Sequence, residues 1–318
     1  MTKDKHEKAM GTARPHSNQL GEPLGAPGPS AAASRAVIAA PVRRDDPPQP
    51  PVIGVFDSGF GGLTVLRSLL ARIPSAHYIY LGDTARLPYG AKSPATVARY
   101  AVESARFLEE RGCQYLVIAC NTATALALEE IRMAVRVPVL GVIEPGSQAV
   151  RRELQDAGGD VLVLATSATV QSHAYREACR RTGLRAFEVA CPLLVPLVEE
   201  GWTDHDVTRA VLRIYLSQAL AICQPKAVLL GCTHYPLVAG AIQAMLRELG
   251  SDAIVIDSAK ATAEAAETAL GGWSATAAAE AKGNFECFAT DSVEKFQRLG
   301  SLFLGQPIAS VHLLDLGG

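Results

Sequence analysis

From residue 51 onward, short runs of β-branched and other apolar residues alternate with longer amphipathic stretches. Four such runs in the first half predict buried strands, at residues 52–56, 78–81, 115–119 and 137–143. Strands that are apolar at every position are typical of a parallel sheet covered on both faces. Before the third run, Ser93 is a suitable N-cap, Pro94 suits a first helical position and Gly112 ends the helix. The pattern predicts an α/β fold with helices on both sheet faces.

The second half of the chain repeats this order of elements. Residues 161–165 predict a strand that ends in a polar turn, and residues 228–231 predict a strand that runs into Cys232. In the first half, Asp57 likewise follows one strand and Cys120 follows a later one, across an interval of similar length. The residues therefore indicate two α/β units of similar size.

An amphipathic helix is predicted between the two strands of the second half, starting at about Thr203. Thr203 and Asp206 fit a capping box, in which side chains and backbone N–H groups pair at the start of a helix. Three apolar residues then line one face at helical spacing, Val207, Val211 and Ile214.

The two units predict a shared cleft, because ligands of open α/β sheets bind at the carboxyl ends of the strands. If the units face each other about an approximate twofold axis, both cysteine turns point into one cleft from opposite sides. We therefore expect two similar parallel-sheet α/β domains related by pseudo-two-fold symmetry, with the active site between them. The expected ranges are a disordered tail at 1–50, a first domain at 51–147 plus 255–318, and a second domain at 148–254.

The first 50 residues differ in kind from the rest of the chain. Prolines recur among alanine, serine, glycine and charged residues, and such a segment buries too little apolar surface to offset the entropy of ordering it. It also lacks the apolar stretch of about 7–15 residues that marks a secretory signal. We expect a disordered tail and assign no function to it.

Composition and charge narrow the class of protein. The 318 residues are 48% hydrophobic and 19% charged, which is typical of a globular protein with about two domains. A net charge of −2 provides no basic field to attract nucleic acid or anionic lipid. No apolar run approaches the roughly 20 residues that a membrane-spanning helix needs. Neither nucleic acid nor a membrane is expected as a partner.

The seven cysteines are an odd number, and no two are spaced as C-x-x-C. This argues against a disulfide framework or a structural zinc site and favours free thiols in a reducing cytoplasm. No other metal-ligand spacing is present. Five cysteines are expected to be buried apolar side chains, namely Cys113, Cys179, Cys191, Cys223 and Cys287.

Cys120 and Cys232 are the candidates for chemistry, because each stands where a strand gives way to a predicted helix start. Free N–H groups at a helix start favour a thiolate. Four neighbours can complete a site, the compact donors Asn121, Thr122 and Thr233 and the titratable His234. A cysteine protease would need one cysteine with one histidine, which leaves the second Cys-Thr turn unexplained.

The turn at residues 57–62 is rich in glycine. A dinucleotide-binding turn would have glycine at position 64, where Thr64 stands, although Asp83 lies where a ribose-binding acid is expected. The glycines equally permit a tight turn, and Asp57 can act as a helix cap. A dinucleotide-dependent oxidoreductase therefore stays open as an alternative, whereas the absence of Gly-Lys-Ser/Thr excludes a P-loop.

Four stretches closely resemble the motifs of glutamate racemase. They are GVFDSGFGG at 54–62, GDTARLPYG at 82–90, ACNTA at 119–123 and GCTHYPL at 231–237. The resemblance runs from about residue 52 to the C-terminus, where residues 291–315 resemble the family's final strand and helix. The tail lies outside it.

The resemblance implies racemisation of glutamate without a cofactor or metal, in which Cys120 deprotonates D-glutamate and Cys232 deprotonates L-glutamate. It implies that eight residues bind or orient glutamate, Asp57, Ser58, Tyr89, Gly90, Asn121, Thr122, Thr233 and His234. Glu199 is similar to an acidic residue that assists His234, and Thr169 to a threonine that reaches the substrate. Ala168 departs from the glycine that the family often has before that threonine.

The family context implies D-glutamate for peptidoglycan, and hence a role in cell-wall biogenesis and cell shape, in the cytoplasm. A homodimer is compatible with the family, and the residues themselves do not determine the oligomeric state. Two alternatives stay open: a related racemase acting on aspartate or a hydantoin, and a protein-binding role such as the gyrase inhibition attributed to some members. His234 after Cys-Thr favours glutamate by resemblance.

Overall fold

The structure is a computed structural model and describes residues 50–155, 158–271 and 284–316. The tail predicted over residues 1–50 lies outside these ranges, apart from Pro50. All seven cysteines fall inside them and are free thiols. None of the helices in these ranges combines the length and the apolar character needed to cross a bilayer.

The described ranges contain ten strands and eleven α-helices. The strands are β1 (Val52–Asp57), β2 (His77–Gly82), β3 (Tyr115–Ile118), β4 (Val139–Gly141), β5 (Asp160–Ala165), β6 (Arg185–Ala190), β7 (Pro225–Gly231), β8 (Ile254–Asp257), β9 (Asn284–Ala289) and β10 (His312–Leu313). The helices are α1 (Leu63–Arg72), α2 (Pro94–Glu110), α3 (Asn121–Ala134), α4 (Ile143–Leu154), α5 (Ser167–Ser172), α6 (Ala174–Arg181), α7 (Leu194–Glu199), α8 (Asp206–Leu220), α9 (Ala239–Glu248), α10 (Ser258–Ala269) and α11 (Val293–Leu304).

The strands form two sheets in which all neighbouring strands are parallel. The first sheet has the order β10-β9-β2-β1-β3-β4, and the second has the order β6-β5-β7-β8. This confirms the predicted α/β fold with two parallel-sheet regions. The division into domains at residues 147/148 and 254/255 stays a prediction.

The central strands are apolar along their length because helices cover both faces of each sheet. Residues 53–57 of β1 and 161–165 of β5 are all buried. The register places Phe56 opposite Ile118 in the first sheet and Ala165 opposite Gly231 in the second. In each sheet, the two turns that the sequence singled out therefore leave adjacent strands at the same edge.

The helix predicted from Pro94 is confirmed as α2. Ser93 has extended backbone geometry, and its hydroxyl accepts a hydrogen bond from the N–H of Thr96 at 3.3 Å. Pro94 occupies the first helical position, where its missing N–H costs no helical hydrogen bond.

The helix predicted from Thr203 exists, but its start and its buried face differ from the prediction. It begins at Asp206, and the ring of His205 accepts the N–H of Val207, so the capping box was wrong. The buried face carries Thr208, Leu212, Leu216 and Ala219, whereas Val207 and Ile214 are exposed. Both residue sets have helical spacing, and the polar Thr208 disguised the true face. Its hydroxyl is satisfied by the carbonyl oxygen of Trp202, which permits its burial.

Candidate active site

A cavity of about 760 Å³ opens beside the strand ends of both sheets. Cys120 reaches it from the turn after β3, and Cys232 reaches it from the turn after β7. The two thiols therefore line one cavity from two different sheets, which is the arrangement that the duplicated pattern predicted. Among the residues that the structure describes, no group of three or more His, Cys, Asp and Glu side chains is placed to hold a metal ion.

Cys120 is the N-cap of α3. Its Sγ accepts the N–H of Ala123 at 3.4 Å and lies 3.5 Å from the hydroxyl oxygen of Ser58. Burial, followed by the charge of Asp57, nevertheless raises the pKa of Cys120 to about 12. The predicted helix start is present, but its stabilisation of a thiolate is outweighed by desolvation. The Cys120 thiol therefore holds its proton at neutral pH.

Cys232 lies in a different local structure from the predicted helix start. A 3₁₀ turn at Tyr235–Val238 follows it, and α9 begins only at Ala239. The ring of His234 lies beside it, with Nδ1 4.0 Å from the Cys232 sulfur. The predicted helix start at Cys232 was therefore wrong, and the group beside this thiol is the side chain of His234.

His234 is held between Cys232 and Glu199. Its Nε2 lies 3.3 Å from Glu199 Oε1, and its ring is buried against Phe303. Burial lowers the pKa of His234, but its interactions with Cys232 and Glu199 and the charge of Asp57 outweigh burial. The net effect raises this pKa from 6.5 to about 10. An imidazolium therefore stands beside Cys232 at neutral pH.

Glu199 is shared between two cations. Burial raises its pKa, but the hydrogen bond and charge of His234 and the charge of Lys295 outweigh this and lower it. Lys295 Nζ lies 3.2 Å from Glu199 Oε2 and projects from α11, far along the chain. No motif pointed to Lys295, because only the folding of α11 against the cavity brings it there.

Asp57 lies behind the cavity wall rather than on it. It is fully buried, its Oδ2 accepts the N–H of Gly59 at 2.9 Å, and its Oδ1 has no hydrogen-bond partner. Burial raises the pKa of Asp57, and the charge of His234 opposes that rise. A Cβ added to Gly62 would lie 2.5 Å from Asp57 Cβ, so this glycine permits the close packing of the turn.

Three threonine hydroxyls form a closed triangle at the cavity. The Oγ1 atoms of Thr122 and Thr166 are 3.0 Å apart, those of Thr166 and Thr169 are 2.9 Å apart, and those of Thr122 and Thr169 are 3.2 Å apart. Thr122 and Thr166 line the cavity, whereas Thr169 is fully buried behind them. Thr169 was predicted for the site and Thr166 was not, although Thr166 is the N-cap of α5 and lines the cavity.

Tyr89 and Gly90 line the cavity from a turn that follows a cis Leu87–Pro88 bond. The Tyr89 hydroxyl donates to Asp83 Oδ2 at 2.5 Å, so it is tied to the buried protein rather than free for a ligand. A Cβ added to Gly90 would lie 2.9 Å from Thr166 Cβ. Glycine at this position therefore lets the turn approach the threonine triangle closely.

Most of the residues predicted for the site share the cavity wall, namely Ser58, Tyr89, Gly90, Cys120, Asn121, Thr122, Glu199, Cys232, Thr233 and His234. Asp57 and Thr169 lie behind it. The wall also contains polar residues that were not predicted for the site, including Thr84, Lys92, Thr166, Gln171, Ser292 and Lys295. Thr84 lies inside the GDTARLPYG stretch, and Thr166 begins the polar turn after the strand at 161–165. The other four lie outside the quoted motifs, and only the fold brings them to the cavity.

Comparison with known proteins adds sequence and structural relatives. The family model described as Asp/Glu/Hydantoin racemase matches residues 53–266. A glutamate racemase of Koribacter versatilis is 50% identical over 294 residues, covering 85% of this chain and 99% of that protein. The solved glutamate racemase of Francisella tularensis, in complex with D-glutamate, is 32% identical with a TM-score of 0.76, covering 84% of this chain and 98% of that one. That of Thermus thermophilus, in complex with β-chloro-D-alanine, is 40% identical with a TM-score of 0.73, covering 85% and 99%.

Proposed function

The chain belongs to the Asp/Glu/Hydantoin racemase family, and we propose that it interconverts L- and D-glutamate with Cys120 and Cys232 as its two acid–base groups. The observation that carries this proposal is that both thiols line one cavity, each from a turn beside a strand of a different sheet. The predicted glutamate racemase function is confirmed by a relative of that activity that is 50% identical over 99% of its length.

The reaction is a 1,1-proton transfer at the α-carbon of glutamate. A Cys232 thiolate removes the α-proton of L-glutamate, and the electron pair of the broken C–H bond passes to the α-carbon and its carboxylate. The Cys120 thiol then donates its proton to the opposite face, which gives D-glutamate. D-Glutamate reacts in reverse, with Cys120 as the base.

The resting electrostatics suit the direction from L- to D-glutamate. The pKa of about 12 keeps Cys120 protonated as an acid, and the imidazolium of His234 stands beside Cys232. Cys232 is proposed as the base in this direction, since it lines the same cavity and its sulfur lies 4.0 Å from His234 Nδ1. We infer that Glu199 keeps His234 protonated and oriented, and that Asp57 influences Cys120 through its buried charge.

The substrate carboxylates require hydrogen-bond donors, which the cavity wall supplies. Ser58 and Asn121 flank Cys120, and Thr233 flanks Cys232, so these side chains are proposed to hold the α-carbon between the thiols. The threonine triangle is proposed to hold the other end of the substrate. In that arrangement Thr169 acts through Thr122 and Thr166, which reach the cavity in front of it.

We further propose that the enzyme works in the cytoplasm and supplies D-glutamate for peptidoglycan. The seven free thiols suit a reducing compartment. A homodimer is the assembly that we propose for it. Aspartate and hydantoin are the alternative substrates within the family, and the identity to glutamate racemases favours glutamate over both.

The test is incubation with L-glutamate in deuterated water, without added cofactor, followed by NMR and polarimetry. Incorporation of deuterium at the α-carbon together with loss of optical rotation is the expected result. Parallel incubations with L-aspartate and a hydantoin determine the substrate. Exchange with aspartate but not glutamate would reject the assigned substrate, and no exchange with any of the three would reject the racemase.

A further inference from the structure

Tyr175 is a fully buried residue of α6 that does not line the cavity, yet it contacts a turn from each sheet. Its hydroxyl accepts a hydrogen bond from Asn121 Nδ2 at 2.6 Å. Asn121 directly follows Cys120 and lines the cavity. The proposed substrate-facing amide of the first cysteine turn is therefore held by a side chain from the second half of the chain.

The ring of the same tyrosine lies against the second cysteine turn. A Cβ added to Gly231, the residue before Cys232, would lie 2.9 Å from Tyr175 Cε2. The glycine thus lets the ring pack directly on the backbone that carries Cys232. Ser258, the first residue of α10, lies beside the hydroxyl from a third direction.

The Tyr175 hydroxyl restricts the orientation of the Asn121 amide. Burial raises the pKa of Tyr175, so the phenol stays neutral and can accept one hydrogen bond while donating another. An asparagine amide has two N–H donors and one carbonyl oxygen. With one N–H committed to Tyr175, the amide has a fixed rotation, and its other N–H and its oxygen are left for the cavity.

We propose that Tyr175 is a positioning residue of the racemase. Its hydroxyl fixes the orientation of the Asn121 amide for substrate binding, and its ring packs against the backbone at Gly231 and so positions the turn that carries Cys232. This inference rests on the proposed function, because it assigns Asn121 a substrate contact. Removal of the Tyr175 hydroxyl leaves the buried Nδ2 of Asn121 without a hydrogen-bond acceptor, so the amide no longer has one preferred orientation. Substrate binding is then weakened although the ring still fills its space.

The test is Tyr175→Phe, with Tyr78→Phe as a matched control. Tyr78 is equally buried, and its hydroxyl donates to the carbonyl oxygens of Leu69 and Ile73, away from the cavity. Both variants should melt at a lower temperature, because each loses a buried hydrogen bond. Tyr175→Phe should lower kcat/KM for glutamate about tenfold, mainly through a higher KM, whereas Tyr78→Phe should leave both constants within about twofold.

A double-mutant cycle with Asn121→Ala separates positioning from general destabilisation. Once the amide is gone, Tyr175→Phe should change kcat/KM by less than about twofold, because the hydroxyl has nothing left to orient. A tenfold effect that persists in the Asn121→Ala background, or normal kinetics in Tyr175→Phe alone, would overturn the inference. No turnover by the unsubstituted enzyme would instead reject the proposed function, and this inference with it.

Discussion

The backbone of Gly61 lies against the hydroxyl of Thr233 so closely that no side chain fits between them. A Cβ at position 61 would lie 2.2 Å from Thr233 Oγ1 and 2.6 Å from His234 Nδ1. Gly61 belongs to the turn after β1 in the first sheet, whereas Thr233 and His234 belong to the turn after β7 in the second. This contact determines how closely the turn that carries Asp57 approaches the turn that carries Cys232.

Gly61→Ala should therefore disable the site. The methyl group has to displace Thr233 and His234, and a displacement of about 1 Å at a reacting group costs about a hundredfold in rate. We expect kcat/KM for glutamate to fall by about that factor while circular dichroism still reports a folded α/β protein. Gly240→Ala is the matched control, because a Cβ at this position in α9 would contact nothing within 4 Å. The control should keep full activity, and equal losses in both variants would contradict the contact argument.

The two thiols should be separable by isotope exchange. Cys120→Ser and Cys232→Ser should each lower racemisation by at least about a hundredfold, because one face of the α-carbon loses its acid–base group. In deuterated water, Cys120→Ser should still exchange the α-proton of L-glutamate through Cys232. Cys232→Ser should exchange that of D-glutamate through Cys120. NMR with each pure enantiomer measures this, and exchange of the opposite enantiomer in either variant would reverse the assigned roles.

Asp57→Asn should stabilise the fold and weaken the enzyme. The buried carboxyl has one oxygen without a hydrogen-bond partner, and burial raises its pKa, so its ionised form is disfavoured in the folded state. A neutral amide of the same shape keeps an oxygen for the N–H of Gly59 and removes the cost of the buried charge. We expect Tm at pH 7 to rise by at least about 2 °C while kcat falls. Differential scanning calorimetry tests the first part, and a lower Tm would show that the charge stabilises the fold through His234.

His234 should make stability depend on alkaline pH. Its pKa is raised from 6.5 to about 10 in the folded protein, so folding favours its protonated form. The resulting stabilisation is complete below about pH 6.5 and is lost as the pH rises toward 10. Urea unfolding at pH 6 to 10 should show a falling free energy of unfolding, and the decline should be smaller in His234→Gln. Buried thiols with raised pKa values also destabilise the fold at the upper end of this range, so the comparison between the two proteins isolates the histidine. Equal slopes in both would contradict an imidazolium held by Glu199.

The fold class could be predicted from the sequence because apolar runs and turn residues are local signals. Six of the ten described strands, β1 to β5 and β7, contain the predicted apolar runs, and the Ser93 hydroxyl and the Pro94 ring mark the start of α2. The other four strands were not predicted from the pattern, and two of them, β6 and β9, are interrupted by polar residues. The two Cys-Thr-type turns were recognisable because a cysteine at a strand end with polar neighbours is a short motif. Which face of α8 is buried was not a local matter, since Thr208 becomes a core residue only after Trp202 supplies a carbonyl acceptor.

The composition of the cavity wall also depended on tertiary structure, because its residues come from distant parts of the chain. The sequence predicted Cys120 and Cys232 as the acid–base groups, but their surroundings come from the fold. Burial raises the pKa of Cys120, whereas the interactions of His234 with Cys232 and Glu199 outweigh burial and raise the pKa of His234. Thr166 and Lys295 line the cavity, and Tyr175 lies behind Asn121, from positions that none of the four motifs includes. The sequence determined which residue types follow each strand, because backbone propensity and capping act over a few neighbours. Only the packing of the two sheets decided which of those residues meet, because contact and burial act across the whole chain.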